Sequence, residues 1–521
     1  MNTREYNIDM LKDNRDLWDI IVIGGGATGL GIAVDAASRG FKAILLEQSD
    51  FAKQTSSKST KLVHGGVRYL QKGDISLVRE ALRERGILLQ NAPHLVKDQR
   101  FIIGNYLWWE KPFYTIGLKM YDWLAGKLKM GRSLPMSKTQ VIQAIPQIKR
   151  EGLRSGVVYH DGQFDDSRLA ISLMRTAVEQ GAVMSNYTKV TGLLKDDGRI
   201  SGVTVHDEIG GESFELHATC VINATGVFVD DIIKMDDKER APMVRLSQGA
   251  HLVVDRSFLD SDDAIMIPKT DDGRVLFCIP WHNRVIIGTT DTPVSDLALE
   301  PKPLEEEIDF IIESANKYLA KTLQRTDILS IFAGLRPLAV QKNSTSIKTK
   351  EISRRHKLIS APSGLITITG GKWTTYRQMA QETIDLAIKT SGLPPKECVS
   401  KNLRLHGFQT HDDCTDRLYV YGSDRDKIIA LQTEKPDYAE RLHPEADFTV
   451  AEVVFAVREE MAVTIEDVLA RRLSALYLDA RTSIEMAPKV ADIMADEMHE
   501  DECWKQRQIE QFTELANGHV C

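Results

Sequence analysis

The chain has 521 residues, too many for one ordinary core, so two or three domains are expected. Hydrophobic residues make up 42% and charged residues 27%, the profile of a soluble globular protein, and a net charge of −8 argues against wholesale binding to nucleic acid. Six widely spaced cysteines (Cys220, Cys278, Cys398, Cys414, Cys503, Cys521) with no CxxC pair argue against a zinc site or a disulfide framework and suit a reducing cytosol.

The N-terminal stretch is polar and mixed in charge, without the apolar region of a secretory signal. No run of about 18 or more uncharged apolar residues follows, so nothing is expected to span a bilayer. The expectation is a cytoplasmic protein whose only membrane contact is peripheral.

Ile20 to Ile23 reads as a short buried strand, Gly24 to Gly26 as a turn, Ala27 to Arg39 as a helix stopped by Gly40, and Ala43 to Leu46 as a second strand. Gly24, Gly26 and Gly29 form G-x-G-x-x-G between that strand and helix. The first glycine permits the turn, the second lets the backbone approach a pyrophosphate, and the third lets helix and strand pack closely. The helix N-terminus then offers N–H donors and a positive dipole to a diphosphate. Glu47 ends the second strand, in the slot where a carboxylate accepts a hydrogen bond from a ribose 2′-hydroxyl, and it disfavours a cofactor bearing a 2′-phosphate.

Further along, Leu77 to Gln90 and Arg168 to Gln180 read as helices, and Val183 to Thr219 as a meander of short strands joined by glycine turns. Val221 to Gly226 is an apolar strand ending in Ala-Thr-Gly. From Val244 to Thr290 the pattern is again β, with runs at His251–Val254, Val275–Pro280 and Val285–Thr289. Leu365 to Ile368 leads into Gly370-Gly371-Lys372-Trp373-Thr374-Thr375-Tyr376, again strand, glycine turn and helix. Beyond about residue 400 the pattern turns helical, with capping boxes at Thr449/Glu452 and Thr464/Asp467.

The glycine fingerprint alone does not separate NAD from FAD. The segments ending at Gly226 and beginning at Gly370 favour FAD, because a nicotinamide enzyme does not need three distant segments converging on one cofactor. No metal-ligand cluster is evident in the spacing.

These blocks, IIVIGGGATGLGIAVDAASRG, TSSKSTKLVHGGVRYL, NATG, GAHLVV, IPW, IIGTTDT, GLRPL and GGKWTTYR, run in order from about residue 19 to 377 and resemble the FAD-dependent glycerol-3-phosphate dehydrogenases, within the glycine-oxidase-like flavoproteins. AVREEMAVTIEDVLARR is similar to that family's C-terminal domain. The resemblance implies an α/β fold: a Rossmann-type FAD domain interleaved with an antiparallel substrate sheet over 1–399, with substrate segments at about 75–160 and 240–345, and an all-α domain over 400–521. It also implies oxidation of sn-glycerol 3-phosphate to dihydroxyacetone phosphate, with electrons passed to a quinone; an oxidase using oxygen and releasing hydrogen peroxide is the alternative.

For the site, the resemblance implies His251 as base, with Arg336 lowering the pKa of the alcohol. Arg68, Tyr69, Thr289, Arg354 and Lys372 would surround the substrate, because a phosphate dianion is best held by Arg and Lys. FAD contacts are implied for Gly24, Gly26, Gly29, Glu47, Ser57, Lys61, His64, Gly65, Gly66, Val190, Gly226, Gly334, Gly370, Gly371, Trp373 and Thr374. An amine or amino-acid oxidase would not need so many cations.

Residues Tyr106 to Arg132 hold Trp108, Trp109 and Trp123 and a local charge of +3 in an acidic chain. Ile116, Met120, Trp123 and Leu124 share a helical face. Interfacial aromatics with basic residues suit a peripheral membrane surface; a helix packed on its own domain or a homodimer contact is the alternative.

Overall fold

The apolar run Trp18–Ile23 is buried on both sides, as the central strand of a parallel sheet must be. It pairs in parallel with Ala43–Leu46 on one side and with Ser213–Asn223 on the other. The computed structural model, which describes residues 4–13, 17–71, 73–270, 273–340, 355–410 and 416–521 (the side chains of residues 68 and 71 excepted), continues this sheet outward. Val183–Ser185 joins one edge and Ile366–Thr369 the other, both in parallel. The antiparallel hairpin Thr188–Asp196 and Arg199–Asp207 extends from Ser213–Asn223. The helix Ala27–Ser38 packs over the sheet together with Asp166–Glu179 and Tyr376–Ser391.

A second, mostly antiparallel sheet runs in the order Thr292–Val294, Val244–Asp255, Arg284–Gly288, Leu276–Trp281, Ala264–Ile267, Val96–Asn105, Ser155–Phe164 and Leu62–Val63. Ile328–Ala339 lies along the other side of Val244–Asp255. This register faces His251 with Gly288 and Phe332, and Ser247 with Arg336. Both chemical candidates therefore ride on neighbouring strands.

The C-terminal region is helical, with Val450–Glu460, Ala480–Met498 and Glu502–Asn517 among its helices, and one short hairpin, Arg441–His443 with Ala446–Thr449, interrupts the expected all-α pattern. The Thr449/Glu452 box forms as read from the sequence. At Thr464 and Asp467 the reciprocal bonds also form, at 3.2 and 3.0 Å, but the turn that follows, Asp467–Arg472, is π rather than α. This region buries Val454, Leu469 and Tyr477 against Val253, Ile286 and Phe332 of the second sheet.

Candidate active site

The dinucleotide groove opens at the C-terminal ends of the parallel strands, where a doubly wound sheet binds its ligand. It encloses about 240 Å³ and is lined by Gly24, Gly26, Glu47, Val190, Gly226, Gly370, Gly371 and Trp373, among others. Gly24 has φ +107°, and a Cβ there would meet Ala224 O at 2.8 Å; a Cβ at Gly29 would lie 1.8 Å from Gly24 O. Only glycine fits this crossing of helix and strand. Gly26 brings no capping side chain to the helix Ala27–Ser38; Ser56 Oγ accepts from Ala27 N at 2.9 Å, and the first turn, with Ala27 and Thr28, lines the groove. Glu47 accepts from Gly25 N at 2.6 Å and Ser49 N at 2.9 Å. Burial pushes its carboxyl up, against the pull of those two donors. A glycine cradle, a helix N-terminus at the groove and a carboxylate on the far side fit an adenine dinucleotide.

A second cavity of about 270 Å³ shares Thr55, Gly371, Lys372 and Trp373 with the groove and reaches His64, Gly66, Tyr69, His251, Thr289, Gly334, Arg336 and Thr374. Arg336 donates to Thr289 Oγ1 at 2.9 Å and to Thr290 O at 3.0 Å, and Asp291 stands 3.8 Å away. Gly249 leaves the space its guanidinium fills: a Cβ there would lie 2.1 Å from Arg336 Nη2. Lys372 Nζ sits 4.2 Å over the ring of Tyr69. Arg336 and Lys372, beside an aromatic wall, thus face one cavity next to the groove.

His251 is 1% exposed and stacks on Phe332 with ring centroids 4.9 Å apart. Its Nε2 meets Thr60 Oγ1 at 2.9 Å, while Nδ1 has no hydrogen-bond partner among the described residues. Burial first, then the charges of Arg336 and Lys61, push the imidazole well below its ordinary 6.5. The ring is held neutral and can accept a proton.

Several expected residues sit elsewhere. Lys61 is fully buried, with its ammonium 2.6 Å from Asp166 Oδ1 and beneath the rings of Trp281, Phe332 and Tyr477. Its side chain is spent on a structural ion pair, and its reach to the site is electrostatic, through His251. Ser57 Oγ turns to Gln54 O and Tyr477 OH, away from the groove. Gly65 faces Leu82 and Tyr121, whose hydroxyl accepts from Gly65 N at 2.7 Å, so it positions the loop rather than lining the cavity. Gly29 lies under the turn, as its packing role requires. The Arg68 side chain and Arg354 lie outside the described residues. Sequence reasoning missed Thr60, Thr290, Asp291, Arg274 and Phe332, all but the last lining the second cavity. Thr60, Thr290 and Asp291 stand inside the quoted blocks, but a hydroxyl or carboxylate there carries no signal until its partner is known.

Residues 19–377 match the sequence model of the FAD dependent oxidoreductase family, and residues 365–507 match the C-terminal domain of alpha-glycerophosphate oxidase. With the groove and cavity above, this defines an FAD-dependent oxidoreductase. The mitochondrial glycerol-3-phosphate dehydrogenases of mouse and human are 37% and 38% identical to the chain, over 98% of its length and 74% of theirs. An X-ray structure of glycerol-3-phosphate dehydrogenase from Bacillus halodurans complexed with FAD superposes with a TM-score of 0.82 at 29% identity, covering 100% of this chain and 99% of that one. The chain belongs to the FAD-dependent glycerol-3-phosphate dehydrogenase family. A glycine oxidase from Geobacillus kaustophilus, at 16% identity and TM-score 0.53, shares the fold.

Proposed function

We propose that this enzyme oxidises sn-glycerol 3-phosphate to dihydroxyacetone phosphate and delivers the electrons to a membrane quinone. The observation that carries the reading is the convergence of Arg336, Lys372 and neutral His251 on one cavity continuous with the dinucleotide groove. Arg336 and Lys372 hold the phosphate and hydroxyls of the substrate, joined by Arg68 and Arg354 from the family resemblance. Tyr69 closes the wall beside Lys372. His251 takes the hydroxyl proton, and the charge of Arg336 favours its departure. FAD, when bound, supplies the acceptor for the two electrons that leave the alcohol carbon.

The helix Glu110–Ala125 and the turn before it support a membrane location for the acceptor. Trp108, Phe113, Ile116, Met120 and Trp123 are exposed together, while Tyr114, Leu118 and Tyr121 face inward. Leu124, expected on the outer face, is half-buried and packs inward; Phe113 takes its place. Among the described residues no helix is long and apolar enough to cross a membrane, so this face would lie on the lipid surface.

Anaerobic mixing with sn-glycerol 3-phosphate tests the substrate. Rapid bleaching of the flavin band, absent with glycerol or the opposite enantiomer, is expected; a yellow protein that does not bleach removes the substrate. Rapid oxygen consumption with peroxide release would reassign the acceptor to oxygen.

A further inference from the structure

The loop from Glu47 to Lys58 has two faces. Gln48, Ala52, Gln54 and Ser56 line the dinucleotide groove. Asp50 and Ser57 instead meet the C-terminal region, more than four hundred residues on in the chain, and Lys53, which also lines the groove, reaches Glu466 of the same region. Arg471 Nε donates to Asp50 Oδ2 at 2.5 Å, and Arg472 grips both oxygens of the same carboxylate at 2.6 and 2.9 Å. Glu466 joins Arg471 to Lys53, and Asp467 joins Arg471 to Tyr187.

Geometry makes this lattice specific. Successive side chains on an α-helix diverge by about 100°, yet Arg471 and Arg472 converge on one carboxylate. Both close the π turn Asp467–Arg472, an irregularity that recurs at functional positions. Neither arginine lines the groove or the substrate cavity. Asp50, Arg471 and Arg472 are each at most 1% exposed, so withdrawing either side strands buried charge. The loop is in turn bonded to the glycine turn: Ala52 N donates to Gly25 O at 3.0 Å, and Gly25 N to Glu47 Oε2 at 2.6 Å. Tyr187 N ties Ser49 O at 2.9 Å. A shift of Asp50 is therefore a shift of the ribose wall.

We propose that Arg471 and Arg472 are positioning residues for FAD: through Asp50 they latch the loop that walls the groove, so that docking of the C-terminal segment 460–477 and FAD occupancy are linked equilibria. Linkage is reciprocal. Loss of the latch weakens FAD binding, and FAD tightens the docking of the segment by the same factor. The inference rests on FAD alone and is independent of the substrate.

The test uses the full-length protein. Hydrogen exchange over residues 463–472 should slow when FAD is added to the apoprotein; equal exchange with and without FAD overturns the latch, with no variant required. FAD release from the holoenzyme, followed by free-flavin fluorescence after dilution, should be about tenfold faster in Asp50→Asn and Arg472→Gln, within the ordinary range of coupling between sites. Arg472→Lys should recover part of the loss. Release within about twofold of the parent in both variants also overturns the proposal.

Discussion

Arg336 donates to the hydroxyl of Thr289 at 2.9 Å; Arg336 lies on Ile328–Ala339 and Thr289 directly follows Arg284–Gly288, the two strands that flank the one bearing His251. The guanidinium is thereby aimed at the cavity before any substrate arrives. Replacing it with methionine removes charge that acts where an alkoxide develops, so kcat/KM should fall by about 10²–10³ with FAD content unchanged. Lysine should rescue little, because an ammonium cannot reproduce the forked contacts to Thr289 and Thr290. Steady-state kinetics on flavin-replete R336M and R336K decide this; near-parental turnover in R336M would remove Arg336 from the chemistry.

The His251 imidazole lies well below its ordinary 6.5, through burial and then the nearby charges of Arg336 and Lys61. A base that stays neutral gives kcat/KM that is level across neutral pH and declines only well below 6.5. The same depression makes stability pH-dependent. Above the unfolded value the group contributes in full, and its contribution is lost as pH falls from 6.5 through the folded value, because the unfolded chain then binds the extra proton. His251→Asn should abolish that acid dependence and lower turnover by about 10²–10⁴. A break in the parental profile near 6.5 that His251→Asn leaves in place would assign the proton to another group.

Much of the fold was legible because its elements obey local rules. The strand Ala43–Leu46 and the capping box at Thr449 stand where periodicity and capping chemistry put them. His251 and Arg336 were found through motif resemblance, and a strand register that no local rule shows brings them together. What stayed hidden depends on distant partners. Lys61 looked like a cofactor contact because nothing local announces that Asp166 will meet it in the core. Arg471 and Arg472 looked like ordinary helix residues, since a 3.6-residue period cannot reveal a π turn. The outer face of Glu110–Ala125 was read one residue out of place because periodicity fixes a stripe but not its edges; packing decided between Phe113 and Leu124.

The glycine cradle makes a prediction about loading. A Cβ on residue 29 would lie 1.8 Å from Gly24 O, and a backbone carbonyl cannot step aside as a flexible side chain would. Helix and strand must then separate, spoiling the pyrophosphate site. Gly29→Ala should therefore purify with little flavin, read as the ratio of visible flavin absorbance to protein absorbance. A fully yellow, stoichiometric Gly29→Ala protein would mean that the turn is more forgiving than its geometry implies.

The last prediction concerns the exposed aromatic face. Trp108 and Trp123 are 79% and 75% exposed, and Lys111, Lys119, Lys127 and Lys129 stand in solvent around them. The acids of this segment are engaged: Glu110 accepts from the backbone N–H groups of Tyr106 and Leu107, and Asp122 from Ser133. A basic residue near an anionic bilayer contributes about 1 kcal/mol, so reversing four lysines to glutamate should weaken binding to anionic vesicles by about 10³-fold or more. Replacing Trp108 and Trp123 with serine should weaken binding to neutral and anionic vesicles alike, because the lost term is burial of aromatic surface. Vesicle co-sedimentation with kinetics on a soluble quinone analogue separates surface from site, since turnover off the membrane should survive both changes. Unchanged vesicle binding by both variants would exclude lipid as the occupant of this face. A tryptophan variant that sediments as a smaller species than the parent would assign the face to a second copy of the chain.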